Sequence, residues 1–246
     1  GVPEKKNKVL FLSLPWAGHI VHLRRIAAWF AEHPKYEVHF AYLSETPPDV
    51  PNGVKLHGAE AGELTSIFNT MQENLKKMGM SEIGEANIAS DVDLDAEGHK
   101  VLKFMLRVFL KIKPTVLVAD SGFSLGGMLR AISQAFRSNV LFVNSPGIKE
   151  KWIAEMEAKE EPHADKVENL KQSSGMPDID IGKVMNGTFD TTTLPDGIQE
   201  VLKIPGMDLM RLLQVFGALA APDPSKAPMH FYPSAGWMVE DQAEAG

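Results

Sequence analysis

Two uninterrupted apolar runs, each ending at a residue with proton chemistry, constrain this chain more than any other feature. The first, Val9-Leu10-Phe11-Leu12-Ser13-Leu14, stops in the turn Pro15-Trp16-Ala17-Gly18 and delivers His19. The second, Val116-Leu117-Val118-Ala119, follows Lys113-Pro114-Thr115 and stops at Asp120 and Ser121. Runs that are apolar at nearly every position belong to strands buried on both faces, as in parallel sheets covered by helices. If the two strands lie side by side, His19 and Asp120 meet at neighbouring carboxyl ends, where open α/β sheets hold their ligands. A histidine steered by a buried carboxylate is a general base.

The rest of the first 148 residues alternates in the same way. Strands are expected at Lys8–Pro15, Glu37–Ser44, Gly53–His57, up to Asp120, and at Asn139–Ser145. Helical periodicity marks His19–His33, Leu64–Met78, Glu97–Ile112 and Leu125–Phe136. Strand, helix, strand repeated in this order predicts an α/β fold: a Rossmann-like parallel sheet with helices on both faces. Residues 1–148 are expected to form this core. Residues 149–246 read as a helical extension packed on the same domain, with helices at Glu150–Lys159, Ala164–Gln172, Ile198–Lys203 and Met207–Leu219 and no strand. The Pro- and Ala-rich tail Ala220–Gly246 is expected to wrap or fray.

Composition narrows the function classes. At 246 residues and 44% apolar, the chain has enough material for one large core. The net charge of −7 is spread without a basic stripe, which argues against a nucleic-acid partner. With no cysteine, disulfides, thiolate metal sites and cysteine nucleophiles are excluded. No run approaches the ~20 apolar residues of a membrane helix. The chain opens Gly1-Val2-Pro3-Glu4 without methionine, which predicts a leader or tag removed upstream.

Each candidate has a plainer reading beside it. His19, at the start of a helix, is either a base kept neutral by the helix dipole or a histidine capping a turn. Asp120 either orients that histidine or caps the helix that follows. Gly122-Phe123-Ser124-Leu125-Gly126 matches the nucleophile elbow of α/β-hydrolases, with Ser124 as nucleophile. That alternative needs a later acid and histidine, each after its own strand, and His163 and His230 follow no β-type run. His19 and His22 lack the neighbouring ligands a metal site requires. Met71, Met78 and Met80 either line an adaptable apolar pocket or are core. No glycine-rich phosphate loop is present.

Residues 9–45, VLFLSLPWAGHIVHLRRIAAWFAEHPKYEVHFAYLSE, resemble the opening of UDP-glycosyltransferases of the GT-B fold. Residues 113–147, KPTVLVADSGFSLGGMLRAISQAFRSNVLFVNSPG, are similar to a later segment of the same family. The resemblance implies inverting transfer from a UDP-sugar, with His19 deprotonating an acceptor hydroxyl and Asp120 orienting His19. It implies lipophilic hydroxyl-bearing acceptors, in a pocket drawn from Trp16, Gly18, Ser121, Phe123, Pro146, Met71 and Met78. The UDP-sugar is a co-substrate, and no cofactor or metal is implied. Nothing here resembles the family's C-terminal UDP-binding domain, so the chain reads as one half of a GT-B fold, expected to be inactive alone. The missing methionine start fits the membrane-associated animal and fungal members, which implies an endoplasmic reticulum membrane setting for the full-length protein.

Overall fold

The computed structural model describes residues 6–13, 17–42, 47–59, 94–120, 128–143, 177–221, 223–226 and 228–231. Among these, six strands form one sheet: β1 (Asn7–Ser13), β2 (Tyr36–Tyr42), β3 (Lys55–Gly58), β4 (Val116–Asp120), β5 (Asn139–Val143) and β6 (Met229–Phe231). Their order is β3-β2-β1-β4-β5-β6, and every neighbouring pair is parallel. The helices are α1 (Ala17–Glu32), α2 (Leu94–Ile112), α3 (Met128–Ala135), α4 (Ile181–Met185), α5 (Asp196–Leu202) and α6 (Leu209–Ala220).

The continuous apolar runs are explained by two cores, one on each face of the sheet. Val9, Phe11, Val38, Phe40 and Val118 pack with Leu23 and Ala27 of α1. The alternate residues Leu10, Leu12, Ala41, Leu117 and Ala119 face α2, α3, α5 and α6. Phe11 and Phe40 stack with centroids 6.1 Å apart, tying β1 to β2. The fold expected for the core is therefore observed: a Rossmann-like α/β sheet with helices on both faces.

Helix α2 shows how local sequence stops one element and starts another. It buries Phe104, Met105, Val108, Phe109 and Ile112. Lys113 then turns left-handed (φ 54) with its N–H on the Phe109 carbonyl at 2.7 Å, and Pro114 cannot prolong the helix. Thr115 next bonds the Lys8 carbonyl through its N–H at 2.9 Å, aligning β4 with β1.

Residues 177–221 hold α5 and α6 where the periodicity predicted helices, plus the short α4, which it did not. The expected helices Leu64–Met78, Glu150–Lys159 and Ala164–Gln172 lie outside the described residues. One expectation is corrected: the extension is not purely helical, because β6 joins the sheet beside β5. Its three residues are too few to show a period, and prolines on both sides argue for loop. Tertiary contacts supply what local propensity lacks. Gln134 and Arg130 of α3 donate to the Asp223 carbonyl at 3.4 and 3.3 Å, and the Asp223 N–H returns to Gln134 Oε1 at 3.2 Å. The His230 ring stacks on Phe142 of β5, centroids 5.6 Å apart.

Candidate functional site

The strand order reverses direction between β1 and β4, and open α/β sheets hold ligands outside the carboxyl ends of the strands at such a switch point. Their register pairs Leu12 with Ala119, and one step further lie Ser13 and Asp120. Strand alternation puts both on the face of Val9, Phe11 and Val118, the face α1 covers. Ser13 is 0% exposed and Asp120 2% exposed. A buried carboxylate is tolerated only with partners, and neither residue is without one.

Helix α1 begins at Ala17, four positions after Ser13, and packs across β1, β2 and β4. Its first turn follows the carboxyl end of β1 by three residues. Gly18 and His19 lie in that first turn; their backbones are described and their side chains are not. The two apolar runs are thus parallel neighbours in the sheet, as expected.

Trp16, Met71, Met78, Met80, Ser121, Phe123, Ser124 and Pro146 lie outside the described residues, as does His163. His22 is half-buried on α1. Among the described residues no three or more histidines and carboxylates gather as a metal site would require. His230 lies within β6. Sequence reasoning passed over Ser13. Its signal was present as the one hydroxyl in an apolar run, but serine in a strand has no meaning until the neighbouring strand is known.

Fold and strand order together define a Rossmann-like α/β domain whose topological switch point lies between β1 and β4. No family model matches the chain, and no curated protein matches it. Solved structures similar to it are glycosyltransferases. UGT2 of Phytolacca americana, complexed with UDP-2-fluoro-glucose and pterostilbene, is 10% identical with a TM-score of 0.42, over 92% of this chain and 53% of that one. SsfS6, a glycosyltransferase of Streptomyces sp. SF2575, is 12% identical with a TM-score of 0.41, over 67% and 46%. A Polygonum tinctorium UDP-glucosyltransferase capable of glucosylating indoxyl, in complex with 3,4-dichloroaniline, is 13% identical with a TM-score of 0.38, over 93% and 51%. The chain spans about half the length of these structures.

Proposed function

We propose that this chain is the acceptor-binding half of an inverting, UDP-sugar-dependent glycosyltransferase acting on hydroxyl groups of lipophilic small molecules. The observation that carries the reading is the adjacency of β1 and β4. It sets a buried carboxylate at one strand end and a histidine in the first helical turn beyond the other.

In this reading His19 takes the proton of the acceptor hydroxyl as the oxygen attacks the anomeric carbon. The bond from that carbon to the diphosphate oxygen breaks on the opposite side, so configuration inverts and UDP leaves with the electron pair. Asp120 accepts the other imidazole N–H, which fixes the tautomer and stabilises the imidazolium as it forms. Its burial strengthens that pairing, because a low local dielectric weakens charge interactions less than water does. The positive amino end of α1 favours a neutral resting imidazole, as a base must be. Trp16, Gly18, Ser121, Phe123, Pro146, Met71 and Met78 are assigned to the acceptor pocket, an apolar and polarizable lining suited to such ligands. The UDP-sugar enters as co-substrate, held mainly by a second domain, and no cofactor or metal takes part. We assign the protein to the membrane-associated type of the family. No described residue favours the hydrolase alternative built on Ser124.

The test is UDP release with a panel of UDP-sugars and phenolic acceptors, using this chain joined to a donor-binding domain. His19→Ala is expected to lower kcat by roughly 10²- to 10⁴-fold, and Asp120→Asn to lower it with little change in acceptor KM. Full activity in His19→Ala overturns the reading.

A further inference from the structure

The face of the sheet opposite α1 carries a titratable cluster, centred on the buried His39, that sugar transfer does not use. Glu37 and His39 on β2 share that face with Lys55 and His57 on β3; Ala41 and Leu10 beside them belong to the α2-side core. His39 is 5% exposed and both its ring nitrogens are engaged. Its Nε2 lies 3.0 Å from Glu37 Oε1, and its Nδ1 lies 2.8 Å from His57 Nε2. Lys55 Nζ donates to the same Glu37 oxygen at 2.6 Å.

With Glu37 ionised by its lysine partner and both rings neutral, these contacts admit one proton assignment. A carboxylate only accepts, so His39 carries its proton on Nε2 and must accept at Nδ1. His57 therefore donates its Nε2–H. The chain runs from His57 to His39 to Glu37, with Lys55 closing it.

A metal at this pair fails on geometry. Two imidazoles holding one divalent ion at ~2.0–2.1 Å keep their nitrogens about 3.3 Å apart, with lone pairs converging off the line between them. Here the centroids stand 5.1 Å apart across a 2.8 Å contact, so the rings meet head-on, as two rings sharing one hydrogen do.

Among the described residues, the charges around the pair come from β1, β2, β3 and α2. Glu37 on β2 is negative; Lys8 on β1, Lys55 on β3 and Lys111 on α2 are positive. A proton added to His57 keeps the hydrogen bond but places a fourth cation among these lysines. A proton added to His39 at Nδ1 also removes the acceptor for the His57 N–H. Burial, with neighbouring positive charge, lowers the basicity of both rings, His57 to about 4. Meanwhile β3 has only four residues, and among the described residues it pairs with β2 alone.

We propose that the hydrogen-bonded chain His57–His39–Glu37–Lys55 is an acid-released latch that holds edge strand β3 on the sheet while its imidazoles are neutral. Once β3 leaves, both rings take protons in water freely, so acid pulls the strand off without unfolding the centre of the sheet.

Hydrogen exchange measured from pH 7.5 down to pH 4.5 tests this. Protection factors of the β3 amides that donate to β2 (alternate positions within Lys55–Gly58) are expected to fall roughly tenfold or more. Those of Leu10–Leu12 and Leu117–Ala119 should change by less than about twofold. His57→Gln keeps a donor near the Nε2 position and leaves His39 as the one titrating ring of the pair, so its β3 protection should fall much less than in the unmodified chain. The exposed Lys111→Gln removes one facing cation and should shrink the fall. The proposal is overturned if β3 protection is independent of pH in the unmodified chain. It is equally overturned if the fall persists undiminished in both variants, or if the central strands lose protection together with β3.

Discussion

At the scale of single residues, the buried His39 and half-buried His57 write a pH dependence into the fold. Burial, with neighbouring positive charge, pushes His57 down to about 4 from the ordinary 6.5, and burial lowers His39 as well. Between those values the unfolded state binds more protons, so stability rises with pH there. The contribution is fully present above pH 6.5 and is lost as the pH falls towards 4. For His57 the shift is worth at most about 3 kcal/mol, less once water screens a half-buried ring. Urea melts at pH 7.5, 6 and 5 should show falling stability that levels off where β3 has released, and His57→Gln should remove most of the slope. Stability that rises on acidification would contradict two neutral imidazoles. The pair was illegible in the sequence for a physical reason. His39 interrupts an apolar strand, which marks it as unusual, but its partner lies 18 positions away and only strand register brings them into contact.

At the scale of elements, periodicity located α1, α2, α5 and α6 because each buries one face, and burial is what a 3.6-residue repeat records. Helix α6 buries Leu209, Leu212, Val215 and Leu219 and packs on α3. Its amino end is closed by Asp208, whose carboxylate accepts the Arg211 N–H at 2.8 Å. Asp208→Ala should cost about 1 kcal/mol and Asp208→Asn much less. The readout is a lower urea midpoint at unchanged slope, and equal midpoints for the two variants would deny the cap. Strand β6 shows the opposite case. Three half-exposed residues between prolines carry no readable pattern, and the strand exists because α3 anchors Asp223 and β5 offers an open edge.

At the scale of the whole molecule, the proposed chemistry divides between two bodies, one to present the acceptor and one to hold the diphosphate. No glycine-rich phosphate loop occurs in the 246 residues. The chain alone should therefore release no UDP above the blank and should bind UDP too weakly to detect by calorimetry at millimolar ligand, while lipophilic phenols quench its tryptophan fluorescence. Turnover by the chain alone would refute that division. By itself, the sequence determined the apolar strands, the helices between them and the parallel α/β class, since each follows from local patterning and burial on two faces. It also marked His19 and Asp120 as polar residues at the ends of apolar runs. Only the tertiary structure decided which strands are neighbours. That order brings β4 beside β1, with Ser13 and Asp120 buried side by side at their carboxyl ends, and it brings His57 onto His39. The physical reason is that register and strand order are contacts between segments far apart in the chain, and no local preference encodes them.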